Sequence, residues 1–98
     1  MSLPAILSAE AEADLDEAAM WYEQQRAGLG VDLVARVRST LGQIGSTPEL
    51  YAVIQDDVRR VPVKKFPYCV YYRVQVDRIE VIAIMHDRRD PSVWEARI

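Results

Sequence analysis

The sequence predicts an α+β domain in which a helical hairpin packs on one face of a mostly antiparallel β-sheet. Two observations predict this fold. Apolar residues recur at helical spacing before about residue 50 and alternate at strand spacing after it. The chain has 98 residues, half of them hydrophobic and 28% charged, which is enough for one hydrophobic core. We therefore expect a single domain over residues 1–98, in the order β-α-α-β-β-β with a short C-terminal helix.

The first half of the chain is expected to contain one strand and both long helices. Residues 4–8 are predicted to form an edge strand, and the serine at its end is the expected N-cap of a helix over residues 9–26. Gly28 and Gly30 are expected to break the chain before a second helix over residues 31–44. Because the link between these helices is short, we expect them to form a hairpin.

The second half is expected to contain three strands and a short helix. The strands are predicted over residues 58–65, 68–76 and 79–85. Asp77 and Arg78 are the expected two-residue turn, and Val76 is expected to face the same way as Val70. Asp90 is expected to cap a final helix that carries Trp94. The expected core residues are Leu15, Leu33, Val37, Leu41, Val70, Tyr72, Val74 and Val81.

Composition limits the classes of protein to which the chain can belong. No apolar run is long enough to span a membrane, and the N-terminus lacks the basic start and long apolar stretch of a signal peptide. The single cysteine, Cys69, allows no internal disulfide, so we expect a cytoplasmic protein. We expect no metal and no cofactor, since the sequence has no Gly-rich phosphate loop and no clustered metal ligands.

Charge is unevenly distributed along the chain. The net charge is −3, but residues 1–50 carry three Arg against eight acids, whereas residues 51–98 carry nine Lys or Arg against seven acids. The acids of the first helix are interpreted as a solvated face favoured by the helix dipole. These acids are Glu10, Glu12, Asp14, Asp16 and Glu17. The second half is therefore the place to look for a basic binding surface.

The basic residues of the second half allow two interpretations. In the first, the sheet face turned away from the helices binds RNA through Arg60, Lys64 and Arg73. Tyr71 and His86 are expected near that face, where His86 could transfer a proton during cleavage while the basic groups stabilise the phosphate charge. In the second, the charges only keep an exposed sheet soluble. No residue spacing decides between these interpretations.

Three groups of residues, in this order along nearly the whole chain, resemble the RelE/ParE toxin superfamily. They are Ala13-Asp14-Leu15-Asp16-Glu17-Ala18 with Trp21-Tyr22-Glu23; Arg59-Arg60 with Phe66-Pro67-Tyr68 and Tyr71-Tyr72-Arg73; and His86-Asp87-Arg88-Arg89-Asp90-Pro91 with Trp94 and Arg97. The resemblance implies a RelE/ParE-like fold and a plasmid-stabilisation toxin. Such a toxin is neutralised by, and forms an oligomer with, a cognate antitoxin that is usually encoded beside it.

The resemblance leaves three possible activities. ParE-like members are associated with poisoning DNA gyrase, whereas RelE-like members cleave mRNA on the ribosome. The ribonucleases often carry a Tyr or His near the end, and this chain has no Tyr after His86, so its ending looks more like the ParE branch. We expect a gyrase-directed toxin that is not an enzyme and binds its target through Arg88, Arg89 and Trp94. The alternatives are an endoribonuclease that uses Arg60, Lys64, Arg73 and His86, and a degenerate member that only binds its antitoxin.

Overall fold

Two helices pack on one face of a five-stranded sheet in the computed structural model, which describes residues 2–98. The elements are β1 (Ala5–Leu7), α1 (Ala9–Gln25), α2 (Leu29–Ser46), β2 (Val53–Gln55), β3 (Val58–Pro62), β4 (Tyr68–Val74), β5 (Ile79–His86) and α3 (Ser92–Glu95). The strand order is β1-β5-β4-β3-β2; β1 pairs with β5 in parallel, and the other pairs are antiparallel. The predicted α+β class and the mostly antiparallel sheet are confirmed.

The first helix begins where the sequence predicts. The Oγ atom of Ser8 accepts a hydrogen bond from the N–H of Ala11 at 3.0 Å, the contact that a serine N-cap makes. Ser8 also donates its own N–H to the carbonyl oxygen of Val81 at 3.0 Å. The start of α1 is therefore hydrogen-bonded directly to β5, and this contact sets the position of the helix on the sheet.

The second helix begins earlier than predicted, at Leu29, and ends later, at Ser46. Gly28 supplies the break, with φ of 90°. Gly30 lies inside the helix, so the prediction that it breaks the chain is wrong. The carboxylate of Glu23 explains the early start, because it accepts the N–H groups of Gly28 and Gly30 at 2.7 and 2.9 Å. These donors would otherwise lack a partner at the helix start.

The strands depart from prediction at the edge of the sheet. β2 was not expected, and all three of its residues are exposed. β3 ends at Pro62 rather than at residue 65, since proline cannot donate to the next ladder bond and Lys65 takes φ of 70° in the following turn. The next hairpin turns at Val76 and Asp77, one residue earlier than predicted. As a result Val76 is fully exposed, and its expected place beside Val70 is wrong.

A β-bulge in β5 changes the direction of its later side chains. Tyr71 pairs with Ala83, but Tyr72 pairs with Val81, so Ile82 is an extra residue on β5. Ile82 and Ala83 consequently pack in the same cluster, on the face away from α1 and α2. After this point the inward and outward positions of β5 are exchanged relative to a regular strand.

Both faces of the sheet carry a hydrophobic core. The larger core lies between the sheet and the two long helices and includes the predicted residues Leu33, Val37, Val70, Tyr72 and Val81. Three other predicted core residues, Leu15, Leu41 and Val74, are partly buried against it. A smaller core on the outer face gathers Tyr71, Met85 and Trp94 beneath α3. Among residues 2–98, no helix is long and apolar enough to cross a membrane.

Candidate functional site

The turn between β5 and α3 presents two arginines. Arg88 and Arg89 are exposed, and within residues 2–98 neither guanidinium forms an ion pair. The backbone of the turn is held by His86: its Nδ1 atom accepts the N–H of Arg88 at 3.1 Å, and its carbonyl oxygen accepts the N–H of Arg89 at 3.0 Å. The carboxylate of Asp90 accepts the N–H of Ser92 at 3.0 Å and starts α3. The turn therefore has a defined backbone with two charged side chains in solvent.

Trp94 follows this turn, in α3, and is buried on the outer face of the sheet. Its ring is 5% exposed and stacks on Tyr71, with centroids 5.3 Å apart and an interplanar angle of 25°. Burial raises the pKa of Tyr71, and the nearby Arg60 opposes this shift. Of the three residues expected to contact a target, Arg88 and Arg89 are at the surface, whereas Trp94 holds α3 against the sheet.

The basic residues of the ribonuclease interpretation are only partly brought together. Arg60 and Arg73 lie on the outer face of the sheet: Arg60 is directly opposite Tyr71 on β3, and Arg73 is two residues beyond Tyr71 on β4. Arg73 is already paired, with Asp57 at 3.0 Å and Glu80 at 3.9 Å. Lys64 is exposed in the turn that follows β3. The outer face thus offers Arg60 near the Tyr71 hydroxyl, but one of the expected phosphate-binding groups is held by carboxylates.

His86 does not lie on the outer face with Arg60 and Arg73. Its ring packs edge-on against Tyr68, with centroids 5.6 Å apart, beside a cavity of about 360 Å³ that α1 also lines. The β-bulge at Ile82 is the reason, because it turns His86 toward the helix side of the sheet. The expectation that His86 lies near the basic outer face is wrong.

Nucleophilic and metal chemistry find little support in the described part of the chain. Cys69 is buried in the outer core, and burial raises the pKa of its thiol, which keeps it protonated at neutral pH. Among residues 2–98, no group of three or more His, Cys, Asp or Glu residues is placed to hold a metal ion. The described residues also present exposed surfaces of the kind that bind partners.

A groove on the outer side of the helical hairpin is one such surface, and the sequence did not indicate it. It has a volume of about 520 Å³ and is predominantly apolar. Its lining residues are Ala19, Met20, Glu23, Gly30, Val31, Val34, Ala35 and Arg38. Met20 and Val31 are 64% and 69% exposed, so this chain alone leaves the groove uncovered. A signal existed in the sequence: apolar residues on both helices fall outside the stripes that face the sheet.

Asp14 departs from the predicted solvated acidic face. Its Oδ2 atom accepts the N–H of Ile84 at 3.1 Å, and its two oxygens accept the Nη1 and Nη2 donors of Arg97 at 2.6 and 3.1 Å. Arg97 Nη1 also donates to the carbonyl oxygen of Ile82 at 3.0 Å. The interpretation of the acids as solvated is wrong for Asp14, because its side chain is only 16% exposed and its charge is paired.

Comparisons with known proteins agree with this fold. A family model described as the ParE toxin of a type II toxin–antitoxin system, parDE, matches residues 5–91. A solved structure described as a chromosomal ParDE TA system from P. aeruginosa superposes with a TM-score of 0.76 at 17% identity, covering 87% of this chain and 96% of that chain. At that identity the superposition bears on the fold alone. A comparison with curated protein sequences gives no match.

Proposed function

This chain belongs to the ParE toxin family of type II toxin–antitoxin systems, and we propose that it acts by binding and inhibiting DNA gyrase until a ParD-type antitoxin neutralises it. The target surface in this proposal is the turn that carries Arg88 and Arg89, together with the following α3, which Trp94 holds against the sheet. The antitoxin surface is the apolar groove of the helical hairpin.

One observation carries the choice of a binding mechanism over RNA cleavage. A ribonuclease needs a proton-transfer group and charge-stabilising groups around one phosphate. In this fold His86 lies on the helix side, whereas Arg60 and Arg73 lie on the outer face. In addition, the Nδ1 atom of His86 accepts a backbone N–H, so this nitrogen is occupied in shaping the turn. The positions of these residues therefore fit structural and surface roles better than one shared catalytic centre.

Arg88 and Arg89 have the properties of interface residues. Arginine is enriched among the residues that contribute most to binding energy, and a guanidinium can bond to carboxylates or phosphates with two parallel hydrogen bonds. Neither side chain is used in an ion pair within the described residues. The rigid backbone of the turn reduces the ordering cost of binding.

The antitoxin proposal rests on the groove between α1 and α2. An amphipathic helix that lays its apolar side chains into such a groove is a recurring form of peptide recognition. The exposed side chains of Met20 and Val31 would be covered, and Arg38 at the rim could pair with an acid of the antitoxin. No residue of the turn with Arg88 and Arg89 lines this groove, so the antitoxin and target surfaces are separable by mutation.

The target is tested by expressing the toxin and following DNA supercoiling and mRNA integrity in parallel. We expect loss of supercoiling with intact mRNA, and we expect the double variant Arg88→Ala/Arg89→Ala to restore growth. His86→Asn should still arrest growth, because its Oδ1 atom keeps an acceptor for the N–H of Arg88 while the imidazole is removed. Arg78→Ala is the matched control, because Arg78 is an exposed arginine of the β4–β5 turn. Early ribosome-dependent mRNA cleavage that needs His86 would replace this proposal with the RelE-like one. If supercoiling and mRNA both stay intact, the chain is a family member that only binds its antitoxin.

The antitoxin surface is tested by titrating the purified toxin with the product of the adjacent gene. Val31→Glu places a charge in the groove and should weaken binding at least about 30-fold, the effect expected of a central interface residue. Val76→Glu is the matched control, since Val76 is an equally apolar exposed residue on a distant turn. Equal loss of affinity in both variants, or in neither, would contradict the assignment of the groove.

A further inference from the structure

The first helix and the C-terminal segment meet at an ion pair that the proposed function does not use. Asp14 in α1 and Arg97 after α3 are 83 positions apart, yet their side chains form two hydrogen bonds and are 16% and 15% exposed. We propose that Asp14 and Arg97 form a latch that fixes the C-terminal segment, residues 87–98, and thereby positions the target surface at Arg88 and Arg89. The latch itself is independent of the target, but its effect on toxicity rests on the proposed function.

The β-bulge creates the need for this latch. β1 pairs with β5 only as far as Val81, so the edge of β5 beyond that residue has no neighbouring strand. After the bulge, the carbonyl oxygen of Ile82 and the N–H of Ile84 face this open edge. Arg97 donates to the carbonyl oxygen of Ile82 at 3.0 Å, and Asp14 accepts the N–H of Ile84 at 3.1 Å. The pair thus replaces the missing strand partner, and buried backbone groups of this kind require one.

The geometry of the latch favours the ionised forms of Asp14 and Arg97. The Asp14 carboxylate receives both terminal nitrogens of the guanidinium, the paired geometry that makes such contacts strong. The hydrogen bond with Asp14 raises the pKa of Arg97 above its usual value. Glu10 adds a weaker contact at 3.7 Å from a largely exposed position. The side chain of Arg97 is therefore directed to one place on α1 and β5.

The C-terminal segment has few other means of keeping its position. α3 has only four residues, too few to be stable as an isolated helix. The segment is held at its start by the hydrogen bond from the N–H of Asp87 to the carbonyl oxygen of Pro67 at 2.8 Å. Further along, it is held by the packing of Val93 and Trp94 on the outer core and by the latch at Arg97. Arg88 and Arg89 come immediately before this helix. If the latch opens, the segment should loosen and the two arginines should lose their fixed orientation.

Opening of the latch can be measured through Trp94. The chain has two tryptophans, so the substitution Trp21→Phe leaves Trp94 as the single fluorescent reporter. In that background we compare Asp14→Asn with Asp16→Asn, a matched exposed acid two residues along α1. Asp14→Asn keeps an oxygen for the N–H of Ile84 but loses the charge that binds Arg97. We expect greater quenching of Trp94 by acrylamide, and amide exchange at Ala96 and Arg97 faster by about tenfold or more.

Conservative replacement separates the latch from a general loss of folding. Arg97→Lys keeps the charge with a single ammonium group, and Arg97→Gln removes the charge, so exchange should increase in the order wild type, Lys, Gln. Antitoxin affinity should stay within about twofold of wild type in every variant, because neither Asp14 nor Arg97 lines the groove. Growth arrest should weaken in the same order as the exchange rates increase.

The possible results distinguish between the latch itself, its positioning role and the proposed target surface. Unchanged quenching and exchange in both Asp14→Asn and Arg97→Gln would overturn the latch. A loosened segment with full growth arrest would overturn its positioning role. Full growth arrest in Arg88→Ala/Arg89→Ala would remove the proposed target surface, while the quenching and exchange measurements would still test the latch itself. Antitoxin binding lost together with secondary structure would assign the pair to general stability and contradict the proposal.

Discussion

Removing one hydroxyl group, with Tyr72→Phe, should give opposite effects on stability at neutral and alkaline pH. Tyr72 is fully buried in the larger core, and its hydroxyl donates to the carbonyl oxygen of Pro48 at 2.6 Å. This bond ties β4 to the link between α2 and β2. The ring of phenylalanine fills the same space, so the variant loses the hydrogen bond without creating a large cavity.

The magnitude at neutral pH follows from the single bond. Such a hydrogen bond contributes about 1 kcal/mol to the free energy of unfolding. For a domain of this size, that corresponds to a decrease in Tm of about 4–8 °C. Tyr51→Phe is the control, because the Tyr51 hydroxyl makes no hydrogen bond within residues 2–98 and should leave Tm nearly unchanged.

The alkaline effect has the opposite sign. Burial raises the pKa of Tyr72 from 10.0 to about 12, so the folded protein keeps this proton at a pH where the unfolded chain releases it. The contribution of Tyr72 is complete below pH 10 and is lost as the pH rises toward 12. The loss is about 2–3 kcal/mol, since one pKa unit corresponds to about 1.4 kcal/mol. Tyr72→Phe lacks this loss, and the two proteins should become equally stable near pH 11.

Urea unfolding of both proteins at a series of pH values between 7 and 11 measures the difference directly. The wild type should be more stable at pH 7, and its advantage should disappear near pH 11. A difference that stays constant over this range would refute the reasoning from burial. A variant as stable as wild type at pH 7 would refute the role of the hydrogen bond.

Three further predictions concern the helices. Gly30→Ala should lower Tm by several degrees and Gly42→Ala should not, because a Cβ at residue 30 would collide with the carbonyl oxygen of Ala19, whereas none is near residue 42. Ser8→Ala should cost about 1 kcal/mol in urea unfolding through the lost N-cap, and equal stability would contradict this. Backbone bonds from Gly28 and Gly30 lower the pKa of Glu23, so Glu23→Gln should be destabilising at pH 7. The difference in stability between this variant and wild type should disappear as the pH falls below 4.5 and through the lowered pKa of folded Glu23. A difference in stability that does not change with pH would contradict the role of the ionised carboxylate as a cap.

The sequence predicted the parts of the fold that depend on local pattern. The change from helical to alternating periodicity located the two long helices, and Ser8 marked the start of α1 because its cap contact reaches only three residues along the chain. β2 was missed because it has three residues, all exposed, and carries no alternation. The start of α2 was placed too late because Glu23, a residue of the other helix, supplies its cap.

The candidate site was less predictable because it depends on contacts between distant residues. A single extra residue at Ile82 exchanges the faces of β5, and no residue type in the strand announces it, so His86 was placed on the wrong side. The pairing of Asp14 with Arg97 joins positions 83 residues apart, and Asp14 looks like its acidic neighbours in the sequence. The exposure of Arg88 and Arg89 was easier to predict, because charged residues after a central strand are normally exposed.

The central claim, that this ParE family member inhibits gyrase through the surface at Arg88 and Arg89, is tested most directly with purified components. Purified toxin is added to DNA gyrase, and ATP-dependent supercoiling of relaxed plasmid is measured with and without the antitoxin. The account predicts inhibition by the wild type, restoration of supercoiling by the antitoxin, and little inhibition by folded Arg88→Ala/Arg89→Ala protein. Full supercoiling at a large excess of wild-type toxin would contradict it, as would equal inhibition by the double variant.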